Sequence, residues 1–221
     1  MKQLSVADAI AAVRKNLDEI GLNESIMYTD ESTDNTSLDG TIARTLPEAI
    51  NLVNKTAPVT LLEGTDLSGG PFDNVSIEDG SLVFTFTADY LRLVAFQAGD
   101  SKIVVTDVLD EASPEGRKQL NGYIRGTYDR PRLVGEQGKR GTYTFRYYSL
   151  KEVTQRYENN PMSAIKRFSF VKEQFYSESA ESYPIPEDLR QNIIDELTAL
   201  VLAVYGENDK ANYFAEKAKI K

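Results

Sequence analysis

Apolar residues near the N-terminus recur with the period of about 3.6 residues that is typical of an amphipathic helix. The pattern predicts a helix over residues 5–20. Ser5, with Asp8 three residues later, has the form of a capping box with Asp in place of Glu. Gly21 is a typical helix stop because glycine readily adopts the left-handed conformation there.

A second periodic stretch predicts a helix over residues 41–56, after a polar loop over residues 22–40. Pro47 interrupts the pattern. It either kinks the helix or lies in its first turn, in which case Thr45 is the N-cap. Pro58 ends the helix.

The strongest helical pattern begins at Pro186, which suits the first position of a helix, and ends at Gly206. Its apolar residues are spaced three or four apart, and we expect them to be buried: Leu189, Ile193, Leu197, Leu200 and Val204. Val201 lies in the same apolar run. We expect these residues to pack against the other terminal helices at Ile10, Val13, Ile50 or Val53. A shorter helix follows from Asp209.

The middle of the chain shows the two-residue alternation of β-strands. Residues 75–87 predict a hairpin with a type I′ turn at Asp79-Gly80. Further runs rich in aromatic and β-branched residues predict strands at 91–96, 103–105, 133–134, 142–148 and 165–175. A short helix capped by Ser113 is predicted over residues 113–125.

These elements predict an α+β fold in which terminal α-helices form a small bundle and a β-rich domain is inserted between them. We place the N-terminal helices in residues 1–58, the β-rich insertion in residues 59–184, and the C-terminal helices in residues 185–221.

The composition excludes several kinds of chemistry, because the chain has no Cys, no His and no Trp. It can form no disulfide, no Cys/His zinc site and no Ser–His–Asp triad. The carboxylate pairs Glu78/Asp79 and Asp110/Glu111 are typical of any acidic surface. We find no phosphate-binding or dinucleotide motif. We therefore expect no enzymatic activity, no cofactor and no metal site.

The net charge of −9 is unevenly distributed along the chain. Residues 1–114 hold 7 basic and 19 acidic side chains, a net −12, and residues 157–221 hold 8 and 11, a net −3. Residues 115–156 hold 10 basic and 4 acidic side chains, a net +6. We call residues 115–156 the basic block.

Three interpretations of the basic block remain open. The first is a contact surface for an acidic protein neighbour, the second a solvated loop face, and the third a DNA-binding surface. A contact surface is favoured, because the rest of the chain is acidic and would repel DNA. The residues predicted to form it are Arg125, Arg130, Arg132, Lys139 and Arg140.

Several short strings of the sequence resemble those of a known family. They are Ser-Val-Ala-Asp-Ala-Ile at 5–10, Leu-Asp-Gly-Thr-Ile-Ala-Arg-Thr-Leu-Pro-Glu-Ala-Ile-Asn-Leu-Val-Asn-Lys-Thr-Ala-Pro at 38–58, Leu-Leu-Glu at 61–63, Gln-Leu-Asn-Gly-Tyr-Ile-Arg-Gly-Thr-Tyr-Asp-Arg-Pro at 119–131, and Ile-Pro-Glu-Asp-Leu at 185–189, followed by Ala-Leu-Val-Leu-Ala at 199–203, Glu207 and Ala211. Together they resemble head–tail connector proteins of short-tailed, crAss-like bacteriophages, which are similar to tail tubular protein A adaptors.

The resemblance implies a structural virion protein, a ring or adaptor subunit of the connector through which DNA passes. It implies a cyclic, dodecameric homo-oligomer in contact with the portal and other connector or tail proteins. Genomic DNA would pass through the channel without sequence-specific binding, and no membrane is involved. The family has no catalytic residues. The expected location is the neck or tail of the virion, after synthesis in the bacterial host cytoplasm; the first residues, Met1–Ser5, lack the apolar core of a signal peptide.

A binding module is the alternative function. A receptor- or carbohydrate-binding β module of a tail fibre or baseplate would use a cleft lined by exposed aromatic side chains, whereas a ring subunit needs large contacts with its neighbours. An enzyme is the third and weakest possibility.

Overall fold

The computed structural model describes residues 2–21, 38–70, 72–99, 101–127, 129–138, 141–149 and 156–220. Helices lie at both ends and sheets in the middle, which confirms the predicted α+β class. The chain forms two compact units, which we call the helical unit (Met1–Glu63 with Glu173–Lys221) and the β unit (Gly64–Lys172).

Along the chain, the elements of the β unit lie between the two parts of the helical unit. The helices are α1 (Val6–Glu19), α2 (Leu38–Thr56), α3 (Pro114–Lys118), α4 (Arg190–Val204) and α5 (Asn208–Ala218). The strands are β1 (Lys2–Ser5), β2 (Thr65–Asp66), β3 (Asn74–Glu78), β4 (Ser81–Thr87), β5 (Tyr90–Ala98), β6 (Val108–Asp110), β7 (Arg132–Gln137), β8 (Thr142–Tyr148), β9 (Ile165–Lys172) and β10 (Ser182–Ile185).

The helical unit contains a two-stranded sheet that joins distant parts of the chain. β1 pairs antiparallel with β10, so that Leu4 lies opposite Tyr183. Residues 173–184, placed in the β-rich insertion from the sequence, therefore belong to the helical unit, as do residues 59–63. The two strands were not predicted, because four residues give too short an alternation and their pairing depends on a distant partner.

The first helix agrees closely with its sequence pattern. α1 begins directly after Ser5, whose hydroxyl accepts a hydrogen bond from the Asp8 amide at 3.0 Å. Gly21 has a φ of 69°, as expected of a residue that ends a helix.

The second helix begins earlier than predicted, at Leu38, and Pro47 lies inside it. The prediction that Thr45 caps this helix is wrong. Its hydroxyl donates instead to the carbonyl oxygen of Thr41 one turn earlier, at 2.8 Å, so the helix is already formed there.

The long C-terminal helix buries only part of its expected face. Leu189, Ile193, Leu197 and Val201 are fully buried. The predicted burial of Leu200 and Val204 is wrong, since Leu200 is only half-buried and Val204 is exposed at the end of α4. Ile194, Thr198 and Leu202 are buried as well, so the helix is covered on more than one row of side chains, while Val204 in its last turn is not. Ala211, Phe214 and Ala218 of α5 are buried.

The β unit begins with the predicted hairpin of β3 and β4. Asp79 and Gly80 connect the strands with φ angles of 47° and 74°. Positive φ at both central positions is the mark of a type I′ turn, which confirms the prediction.

Two sheets of the β unit share an aromatic core. The strand order is β3-β4-β8-β7-β6 in one sheet and β2-β9-β5 in the other. Phe84 of β4 stacks on Phe96 of β5 with ring centroids 5.1 Å apart, and Phe86 meets Phe168 of β9 edge-on at 4.9 Å. These contacts join the two sheets through one fully buried cluster.

Three predictions in the middle of the chain need correction. Residues 103–105 are not a strand, because only Val105 forms a bridge, to Phe96, while Ile103 and Val104 are exposed. The helix predicted over 113–125 ends at Lys118. β9 ends at Lys172 and not at residue 175.

Candidate functional site

The described part of the basic block lies in the β unit, from α3 through β7 and β8. Ser113 caps α3 as predicted, since its hydroxyl accepts a hydrogen bond from the Gly116 amide at 3.0 Å. Gly116 passes very close to the preceding strand. A Cβ at this position would lie 2.1 Å from the carbonyl oxygen of Asp110, so only glycine fits there.

The loop after α3 is held in shape by its own hydrogen bonds. The buried side chain of Gln119 accepts a hydrogen bond from the Gly126 amide at 2.8 Å, which ties the two ends of the loop together. Within the loop, the amide of Tyr123 donates to the Asn121 side chain at 3.0 Å and the amide of Arg125 donates to the Asn121 carbonyl at 3.0 Å.

This loop exposes three large apolar side chains. Leu120 is 64% exposed, Tyr123 98% and Ile124 55%. We call these three residues the apolar tip. Single exposed apolar residues are common on proteins, but three within five positions of an ordered loop are typical of a contact surface.

Basic side chains surround the apolar tip in sequence, namely Arg117, Lys118 and Arg125. Arg125 Nη1 donates to the carbonyl oxygen of Asp79 in the hairpin turn, at 2.8 Å. This contact holds the guanidinium against the β3–β4 turn, and Arg125 forms no ion pair with any carboxylate that the structure describes.

Arg130 and Arg132 lie in the segment that leads into β7. Backbone hydrogen bonds between Thr127 and Arg130, at 3.1 and 3.0 Å, make a tight turn there. The two arginines line a groove of about 270 Å³ in the β unit, together with Ile103, Val104, Asp107 and Asp129.

The predicted contact residues are thus only partly located. Arg130 and Arg132 share one groove, and Arg125 lies on the preceding loop. Lys139 and Arg140 lie outside the described residues. Within the described ranges, Arg117, Lys118, Arg130 and Arg132 form no ion pair, whereas Arg146 of β8 pairs with Glu78 at 3.2 Å. Among the described residues, these four side chains are therefore cations without a bonded carboxylate.

One member of each carboxylate pair, Glu78 and Asp110, is held by local hydrogen bonds. Glu78 accepts hydrogen bonds from Ser76 at 2.9 Å and from Arg146, and these two contacts lower its pKa. Asp110 accepts a hydrogen bond from the Ala112 amide at 2.9 Å. No group of three or more acidic side chains that could hold a metal ion occurs in the part of the chain that the structure describes.

The helical unit contains a second feature, which the sequence did not reveal. A groove of about 510 Å³ lies between α2, α4 and α5, lined mainly by apolar side chains, among them Leu52, Pro58, Ala215 and Ile220. Glu196 of α4 also lines it, and partial removal from water raises the pKa of its carboxyl group. We call this the helix groove. Helical periodicity predicts which face of each helix is apolar. It does not predict where three helices leave a groove between them.

No known protein family and no curated protein matches this chain. None of the described helices is long and apolar enough to cross a lipid bilayer.

Proposed function

We propose that this chain is a structural virion protein, a ring or adaptor subunit of the head–tail connector of a short-tailed phage. The sequence resemblance suggests the family. The observation that carries the proposal is the exposed apolar tip with basic neighbours that form no ion pair among the described residues, since a subunit contact combines exposed apolar side chains with charged ones.

The distribution of charge between the units supports assembly from identical subunits. The helical unit holds 10 basic and 20 acidic side chains, a net −10, and the β unit holds 15 and 14, a net +1. A ring is built from head-to-tail contacts between two different faces of each copy. The basic block of the β unit and the acidic helical unit supply two such complementary faces.

Cryo-electron microscopy of particles that contain this protein tests the proposal. We expect several copies of the chain arranged around the channel axis between portal and tail. A single copy away from that axis, or no copy in the particle, would contradict it.

A receptor- or carbohydrate-binding module is the second candidate, favoured by one groove of the helical unit. Phe175 and Tyr176 are exposed and line about 300 Å³ together with Arg44 and Glu48. Exposed aromatic rings beside polar groups suit a sugar ring. Asn51 also lines this groove, and its side-chain amide is held there because it donates to and accepts from the backbone of Gln174, at 2.8 and 2.9 Å.

Glycan-array binding separates the two functions. A binding module should retain a defined set of glycans and lose them when Phe175 and Tyr176 are both replaced by alanine. A ring subunit should bind none of the glycans and should not depend on these two side chains for its place in the particle.

A further inference from the structure

The apolar tip is presented outward by a loop that is already ordered. Its hydrogen bonds to Gln119 and Asn121 hold the backbone, while Tyr123 has almost no contact with the rest of the chain. A loop that became ordered only on binding would lose conformational entropy at that step. This loop is already ordered in the folded chain, so binding avoids that loss. A tip of this kind is suited to enter a recess on a partner.

The helix groove has the features that the tip requires. Its lining is mostly apolar, and its volume of about 510 Å³ lies in the range of roughly 300–1,000 Å³ found for pockets that hold a ligand. Glu196 provides one carboxylate in this apolar surrounding. Lys219, at the same groove, donates to Glu216, so its charge is already engaged.

The cations beside the apolar tip and the Glu196 carboxylate in the helix groove are opposite in sign. The tip is flanked by Arg117 and Lys118, which have no ion pair within the described residues, and it lies in the block of net charge +6. The lining of the helix groove carries one carboxylate, that of Glu196, and one ammonium group, that of Lys219, which is bonded to Glu216. A second copy of this chain supplies both an apolar recess for the tip and a carboxylate, that of Glu196, for the cations beside the tip.

We propose that the apolar tip of one copy inserts into the helix groove of a second copy, with Glu196 facing the cations that flank the tip. This inference rests on the proposed function, because it names the two faces by which neighbouring subunits would meet. Since each copy carries both faces, the contact is heterologous and can repeat from copy to copy.

The absence of cysteine from the sequence permits a clean cross-linking test. One full-length population carries Tyr123→Cys and a second, differently tagged population carries Thr56→Cys. Thr56 lines the helix groove and is exposed. The two populations are mixed under mild oxidation, and the mixed disulfide is measured. Trapping captures transient contacts, so the test does not need a stable ring.

Two exposed positions away from both surfaces provide matched controls. Asn74→Cys replaces the tip cysteine and Ser179→Cys replaces the groove cysteine. We expect the yield of the disulfide between positions 123 and 56 to exceed the yield of either control pair by about tenfold or more. A specific contact raises the effective concentration of the two introduced thiols. Equal yields for all pairs would overturn the proposal. So would a disulfide that forms only between two copies of the Tyr123→Cys variant.

The outcome can be separated from that of the proposed function. If particles contain a ring of this chain but the tip and groove do not cross-link, the docking proposal is wrong and the connector function stands. If the disulfide forms but the chain is absent from particles, copies do meet in this way and the connector function is wrong.

Discussion

Leu197 and Val204 stand two turns apart on α4 in opposite environments. Leu197 is fully buried among the terminal helices, while Val204 is 66% exposed. Both are apolar and both fit the helical spacing, so the sequence alone assigns them to the same face. The environment of each residue therefore decides what its replacement does.

Truncation of Leu197 is expected to destabilise the protein strongly. Leu197→Ala should lower the free energy of unfolding by about 2–5 kcal/mol, because it removes buried apolar atoms and leaves a cavity. Val204→Ala is the matched control and should stay within about 0.5 kcal/mol of the parent. Urea denaturation measures both. Equal losses for the two variants would show that the assignment of the buried face is wrong.

Glu196 gives a prediction that depends on pH. Desolvation raises the pKa of this carboxyl group above its value of 4.5 in the unfolded chain. The folded state therefore favours the protonated form, and stability is lost as the pH rises from about 4.5 through the folded pKa. Glu196→Gln cannot ionise and escapes that loss.

We expect Glu196→Gln to melt at a higher temperature than the parent at pH 7. The difference should shrink as the pH falls towards 4, because the parent carboxyl group is then protonated in both states. Calorimetric scans across this range measure the effect. A variant that is less stable than the parent at pH 7 would contradict the assignment of a desolvated carboxylate.

At the scale of single elements, the hairpin turn connects a local backbone requirement with the basic block. Gly80 has a φ of 74°, and a Cβ there would lie 3.3 Å from the Arg125 guanidinium. The turn thus needs a residue that tolerates the left-handed conformation and leaves space for Arg125.

Gly80→Ala is expected to cost roughly 1–2 kcal/mol of stability, the usual penalty for a side chain in the left-handed region. Gly122→Ala serves as the control, because a Cβ at Gly122 meets nothing within 4 Å and its φ is not positive. That change should be close to neutral. Thermal unfolding of both variants tests the prediction, and an unperturbed Gly80→Ala protein would contradict it.

The elements that the sequence predicts well are those whose signals are local. The cap at Ser5 and the Asp79-Gly80 turn each depend on a few neighbouring residues, and both were predicted correctly. β1 and β10 were missed because each is defined by a partner about 180 residues away along the chain. Tyr123 shows the same limit at the candidate site, since its residue type does not reveal whether its ring is buried or exposed.

For the whole molecule, the interpretation of the basic block as a protein contact leads to an assembly prediction. Combined reversal of Arg130→Glu and Arg132→Glu should impair assembly of the particle, because these two arginines have no carboxylate partner within the described residues. Reversal of the acidic partner residue should restore part of the loss. Particle yield and infectivity measure the effect.

Arg167→Glu is the control for that experiment, since Arg167 is exposed but lies outside the basic block. If the block were a solvated loop, the paired reversal would change neither yield nor infectivity. If it bound DNA, the purified protein would bind duplex with a steep dependence on salt concentration.

The division of the helical unit into two separate stretches of chain also determines the order in which the protein can fold during synthesis. α1 and α2 leave the ribosome first, but α4 and β10 follow only after the 109 residues of Gly64–Lys172. At about 5–20 residues per second, the first helices wait roughly 5–20 s for the apolar surface that covers them. The β unit is encoded as one continuous segment and can complete its aromatic core within that interval, so we expect it to be the first part of the nascent protein to fold.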